Sequence, residues 1–295
     1  MKKVLFKGSG VAIVTPFKNG GIDFESYGRL IDFQVENGTQ AIIACGTTGE
    51  SATLSESEHK SVISFVVEHV NKRIPVIAGT GSNNTAYALE LSKFAQSAGV
   101  DGIMAVSPYY NKTTQSGIVA HFYKIADSVN LPIMVYNVPS RTGLDILPAT
   151  YAKLGKHENI NCIKEANSNI GALAKTFSMA GDTLNVYSGN DDEIVPFLSL
   201  GAMGVVSVLA NVAPRQIQDI CSLFFEGKAK ESAKLQISLL DLHGALFCET
   251  NPIPAKYGTK LMGYGNGEVR LPLIEMEDKN RLETAMKKAG INIFN

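Results

Sequence analysis

Lys164 closes the run Ile160-Asn161-Cys162-Ile163-Lys164, whose β-branched character marks it as a strand. An amine at the carboxyl end of a strand becomes a nucleophile toward carbonyl carbon once burial strips its proton. Period-two alternation puts Lys164 on the face of Cys162 and turns Glu165 to the other side. That weakens the competing reading, in which the lysine stem snorkels along apolar atoms and its ammonium pairs with Glu165. An ordinary lysine, with a pKa of about 10.4, is neutral in only about one molecule per thousand at pH 7.5. Lowering that value by about 3 units takes about 4 kcal/mol of differential interaction, within what burial supplies. Schiff-base chemistry also needs a proton shuttle to dehydrate the carbinolamine. Tyr136, at the end of Ile133–Tyr136, shares a face with Met134, and adjacent parallel strands lie about 4.8 Å apart, so phenol and amine fall within reach. By itself Tyr136 reads better as an amphipathic rim tyrosine, and its place beside Lys164 reverses that preference.

Two segments could hold carboxylates. Gly46-Thr47-Thr48-Gly49-Glu50 combines tight-turning glycines with two hydroxyls and free N–H groups, although a turn of small residues is the alternative. Arg141, in Pro139-Ser140-Arg141-Thr142-Gly143, offers a fork suited to a carboxylate, or else is solvated. Gly189-Asn190-Asp191-Asp192-Glu193 carries three acids that repel a phosphate, which disfavours sugar phosphates. The five histidines lack ligand spacing and Cys45, Cys162, Cys221 and Cys248 form no C-x-x-C pair, so no metal site, disulfide framework or cofactor is expected.

The elements that must position these groups repeat. Eight β-branched runs, Gly10–Val14, Ala41–Cys45, Pro75–Ala78, Gly102–Val106, Ile133–Tyr136, Asn161–Lys164, Asn185–Ser188 and Gly204–Val208, are each followed by a stretch of helical spacing. Ser55-Glu56-Ser57-Glu58 is a capping box ahead of an apolar stripe from Val62 to Val70, and Gly38, Gly99 and Gly201 stand where left-handed helix caps are needed. Eight units without a G-x-G-x-x-G fingerprint favour a closed (β/α)8 TIM barrel, with its working groups at the carboxyl ends of the strands. The division expected is a catalytic barrel over 1–226 and a C-terminal helical region over 227–295, with helices at Lys228–Cys248 and Asp278–Lys288.

Composition excludes other classes. With 27 Lys+Arg against 28 Asp+Glu and no dense basic cluster, nucleic acid is not an expected partner. The uncharged stretch from Ile194 to Pro214 is broken by Pro196, Gly201, Gly204 and Asn211, and reads as buried helix, turn and strand rather than a membrane span. Met1-Lys2-Lys3 precedes only three apolar residues, too few for a signal peptide, so a cytoplasmic location is expected.

The chain resembles the 4-hydroxy-tetrahydrodipicolinate synthase (dihydrodipicolinate synthase) family of lysine biosynthesis over essentially its whole length. The resemblance rests on Gly10–Phe17, Gly46–Glu50, Ser107-Pro108-Tyr109-Tyr110-Asn111, Tyr136-Asn137-Val138-Pro139, Arg141-Thr142-Gly143, Ile163-Lys164-Glu165-Ala166 and Ser188-Gly189-Asn190-Asp191. It implies that Lys164 condenses with pyruvate and that the enamine attacks L-aspartate 4-semialdehyde, followed by cyclisation. Tyr136, Thr47 and Tyr110 would form a proton relay, with Tyr110 reaching the site from the adjacent subunit of a tight dimer. Thr48 would bind the pyruvate carboxylate, Arg141 the aldehyde substrate's carboxylate, and Gly189 and Val206 would line the pyruvate pocket. A homotetramer of tight dimers or a homodimer is implied. N-acetylneuraminate lyases and 2-keto-3-deoxy sugar-acid aldolases share the lysine and tyrosine, but the double threonine favours the synthase. A non-catalytic pyruvate-binding barrel is the reading outside enzymes. Lysine-inhibited members bind lysine through residues matching Ser51, Ala52, His59, Asn83 and Tyr109. Here Glu56 stands where a His or Lys is common and Tyr87 where a glutamate would hold the amino group, so weak or absent feedback inhibition is expected.

Overall fold

Eight short parallel strands close on themselves in the computed structural model, which describes residues 2–294. They are β1 (Gly8–Ala12), β2 (Ala41–Ala44), β3 (Val76–Gly79), β4 (Gly102–Val106), β5 (Ile133–Asn137), β6 (Ile160–Glu165), β7 (Asn185–Ser188) and β8 (Gly204–Ser207). Each pairs with its neighbours in sequence, and β8 pairs with β1 through Gly8↔Gly204 to Val11↔Ser207. The fold is the (β/α)8 barrel expected from the repeat of runs. The first strand begins two residues earlier than its β-branched pattern indicates. The reason is that pairing with β8 recruits Gly8, and beyond Ala12 the chain leaves the ladder, with Val14 N–H donating to Asn211 Oδ1 at 3.0 Å.

The apolar residues divide by strand parity. Met134, Tyr136, Cys162, Tyr187 and Val206 form a cluster inside the barrel, whereas Val135, Ile163, Val186 and Val205 join the layer between strands and helices. The outer ring is α1 (Phe24–Glu36), α2 (Glu56–Val70), α3 (Thr85–Ala98), α4 (Gln115–Ala126), the single turn α5 (Pro139–Thr142), α6 (Pro148–Leu154), α7 (Ile170–Ala180), α8 (Ile194–Ser199) and α9 (Pro214–Phe225). The capping box forms as the sequence predicts, with Ser55 Oγ accepting from Glu58 N–H and the Glu58 carboxylate accepting from Ser55 N–H. Gly38, Gly99 and Gly201 all have positive φ. Ile194–Pro214 resolves into α8, a turn and β8, and among the described residues no helix is long and apolar enough to cross a membrane.

Beyond Gly227 (φ 82) come α10 (Ala229–Ser238), α11 (Leu240–Leu246), α12 (Ile253–Leu261) and α13 (Lys279–Lys288). The sequence reading missed α12. Pro252, Pro254 and Gly258 mask its periodicity, yet proline in a first helical turn forfeits only an N–H that has no intrahelical partner. Leu242, Leu246, Leu282 and Met286 are buried in the same apolar layer that surrounds the barrel. The segment therefore shares the barrel's core, and it also supplies polar groups to the barrel mouth.

Candidate active site

Register places the chemistry. Tyr136 and Lys164 are paired positions on β5 and β6, and the Lys164 Nζ stands 4.1 Å from the centre of the Tyr136 ring. Both face the barrel interior and are nearly closed to solvent, at 5% exposure for Lys164 and 6% for Tyr136. Burial is the main cause that lowers the Lys164 ammonium to about 7; Asp191 opposes the shift and Arg141 adds to it. Burial likewise lifts the Tyr136 phenol to about 12, while Arg141 and a hydrogen bond with Thr47 pull the other way. The phenol is thus a proton donor throughout neutral pH, beside an amine that is about half unprotonated near pH 7.

Glu165 does not pair with the lysine. It faces outward, where it accepts from Asn137 Nδ2 at 2.9 Å, Tyr151 OH at 2.8 Å and Asn167 N–H at 2.8 Å. Burial raises its carboxyl to about 7 against those three hydrogen bonds. Asn137 Nδ2 also donates to Asp145 Oδ1 at 2.7 Å, which ties the ends of β5 and β6 to the loop ahead of α6. The strand ends carrying Tyr136 and Lys164 are therefore held from behind.

Thr47 and Thr48 lie on a loop that folds back sharply: Gly49 N–H donates to Gly46 O, Glu50 N–H to Thr47 O, and Thr15 Oγ1 to Gly49 O at 2.8 Å. Only glycine fits at position 79 on β3, where a Cβ would lie 2.1 Å from the Cys45 carbonyl oxygen. Glu50, in a left-handed conformation, buries its carboxylate against Lys256 Nζ at 2.5 Å and Arg270 N–H at 3.1 Å, with the Lys256 and Glu50 side chains each 2% exposed. Lys256 Nζ also stands 3.8 Å from the centre of the Phe17 ring. Replacing Lys256 with methionine strands a buried carboxylate and is expected to cost about 3–5 kcal/mol. Urea unfolding checks this; a loss below about 1 kcal/mol would show the pair to be dispensable.

Arg141 sits on a helical turn, not the open loop the sequence implied, because Pro139 starts α5 and Gly143 (φ 65) ends it. Its side chain is exposed and donates to the Asn251 carbonyl at 3.1 Å. Thr47, Val138, Arg141 and Asn251 line a cleft of about 470 Å³. Gly189 N–H donates to the Glu165 carbonyl at 2.7 Å, and Val206 is fully buried in the inner cluster that also holds Tyr136. Asp191 is buried and its carboxylate accepts from Val208 and Leu209 N–H. Tyr110 stands apart from this constellation within one chain: the residue is 91% exposed and its φ is 66°.

Sequence reasoning missed Asn251, Lys256 and Arg270, which come from the C-terminal segment. Nothing in their local pattern distinguishes them from ordinary polar residues.

The model of the "Dihydrodipicolinate synthetase family" matches residues 5–289. The chain belongs to that family. It is 54% identical over 276 residues to a 4-hydroxy-tetrahydrodipicolinate synthase of Clostridium novyi, which covers 94% of this chain and 93% of that relative. The dihydrodipicolinate synthase of Aquifex aeolicus superposes with a TM-score of 0.96 at 44% identity, over 98% of this chain and all of that one. A chloride-inhibited dihydrodipicolinate synthase from Acinetobacter baumannii, solved in complex with pyruvate, gives 0.94 at 42% identity over 97% and 99% of the two chains.

The cleft also bears on lysine. Ser51, Ala52, His59, Tyr87 and Tyr109 also line it, and among the described residues the one acidic group lining it, Glu50, is committed to Lys256. Glu56 is engaged by Lys60 at 2.5 Å. Among the described residues of this chain, a cationic amino acid finds no uncommitted carboxylate lining the cleft. Lysine at about 1 mM is expected to leave turnover unchanged, and micromolar binding in calorimetry would contradict this.

Proposed function

We propose that the chain condenses pyruvate with L-aspartate 4-semialdehyde, the reaction of 4-hydroxy-tetrahydrodipicolinate synthase, through a Schiff base on Lys164. The observation that carries this reading is the desolvated amine stacked on a protonated phenol at the closed barrel's mouth. The neutral amine attacks C2 of pyruvate. Tyr136 protonates the carbinolamine hydroxyl, water leaves, and an iminium remains. Loss of a C3 proton gives an enamine, whose carbon bonds to the aldehyde carbon of the second substrate. That substrate's own amine then attacks the iminium carbon, closing the ring and freeing Lys164.

Thr47 passes protons to and from Tyr136, and Tyr110 completes the relay from the adjacent subunit of a tight dimer. Support for the latter is that Tyr110 projects from its own chain at a residue of positive φ. Thr48 binds the pyruvate carboxylate and Arg141 that of the semialdehyde, while Gly189 and Val206 shape the pyruvate pocket. Residues 1–226 act as the catalytic barrel and 227–295 as a helical region that braces it.

The test is intact mass after borohydride reduction with pyruvate, joined to an assay of pyruvate-dependent consumption of L-aspartate 4-semialdehyde. Adduct and consumption together are expected. Adduct with cleavage of N-acetylneuraminate or 2-keto-3-deoxygluconate in place of consumption would make the chain a sugar-acid aldolase, and no adduct would leave a binding barrel.

A further inference from the structure

We propose that Asn251 is a positioning residue that sets the Thr48 hydroxyl and the Arg141 guanidinium to receive the two substrate carboxylates together; this rests on the function proposed above. Asn251 lies outside the barrel strands, between α11 and α12, and 203 residues separate it from Thr48. Its side chain Nδ2 donates to Thr48 Oγ1 at 3.0 Å, and its backbone carbonyl accepts from Arg141 at 3.1 Å. One residue thus touches both candidate carboxylate anchors, and it lines the same cleft as Arg141.

The direction of the first bond matters. A hydroxyl has one proton and two lone pairs, so a Thr48 oxygen that already accepts from Asn251 is left with its proton to donate. A pyruvate carboxylate is an acceptor only, and this is the polarity it needs. Arg141 has further N–H groups beyond the one engaged by the Asn251 carbonyl, and these remain for the second carboxylate. Stability alone does not account for the amide. Asn251 is 7% exposed and its Oδ1 is buried with no hydrogen-bond partner, a cost an apolar residue of similar size would avoid. The segment is also pinned five residues on, where Lys256 meets Glu50, so Asn251 keeps a fixed distance from the Thr47–Thr48 loop.

The test is steady-state kinetics on the full chain with pyruvate and L-aspartate 4-semialdehyde. Asn251→Ala is expected to raise the pyruvate KM about tenfold while kcat stays within about threefold. Asn251→Asp, of the same shape, is expected to raise it about a hundredfold, because the new carboxylate takes the Thr48 proton and repels the incoming anion. In a Thr48→Val background the alanine change should add nothing further, since the bond it removes is already gone. If the alanine variant loses its native circular dichroism, the aspartate variant carries the comparison. Unchanged pyruvate KM in Asn251→Asp, a fall in kcat with KM held, or full additivity with Thr48→Val each overturns the proposal. Borohydride trapping separates this from the broader reading. No pyruvate adduct on the native chain overturns both, whereas an adduct with the same half-saturating pyruvate in native and Asn251→Asp chains overturns only the role of Asn251.

Discussion

Lys164→Ala is expected to abolish the borohydride-stable pyruvate adduct and to lower kcat/KM by about a thousandfold or more. The alanine keeps the strand and loses only the amine, and β6 remains held on its outer side by Glu165 through Asn137, Tyr151 and Asn167. Collapse of the fold is therefore not the expected cause, and circular dichroism checks this. The native chain should also show its proton dependence at the first step. Burial brings the Lys164 ammonium down to about 7, and the nucleophile is the unprotonated form. The rate of adduct formation should fall about tenfold for each pH unit below that value and level off above it. A profile still rising steeply at pH 9 would mean that the amine titrates as an ordinary solvated lysine.

Tyr136→Phe is the second large effect. The ring that carries the 4.1 Å contact with Lys164 is retained and only the phenolic proton is lost. Turnover should fall about a hundredfold to a thousandfold, the range of a single general acid, with pyruvate KM changed far less. Trapping with borohydride should still reach completion, but slowly. With the native phenol pushed up to about 12, its ionisation does not limit the rate near neutrality, so the variant should keep the rising limb set by Lys164. A variant at full speed would remove Tyr136 from the relay and pass the proton transfer to Thr47 or water.

The two residues with the largest expected effects were legible because their placement is local. A strand alternates its side chains with period two, so the spacing of 162, 164 and 165 sets which groups share a face, while the pairing Tyr136↔Lys164 also needs the register shift between Ile133 and Met134. Closure into a barrel was legible for a similar reason, since eight β-branched runs with helical spacing between them repeat throughout the first three quarters of the chain. The capping box at Ser55 and the left-handed glycines are likewise short-range chemistry.

What only the tertiary structure decided involves partners far apart in sequence. Asn251 reaches Thr48, Lys256 reaches Glu50, and Arg270 reaches both Glu50 and Glu58. No periodicity marks such pairs, because a polar residue's role depends on what packing brings against it, and helix α12 itself was hidden by its prolines. The same holds for Asp191, whose neighbours on the chain suggest an exposed acidic turn, yet whose side chain is drawn inward to the N–H groups that end β8. Side-chain direction along a strand is a property of the backbone, whereas these contacts depend on how a chain of 295 residues folds back on itself.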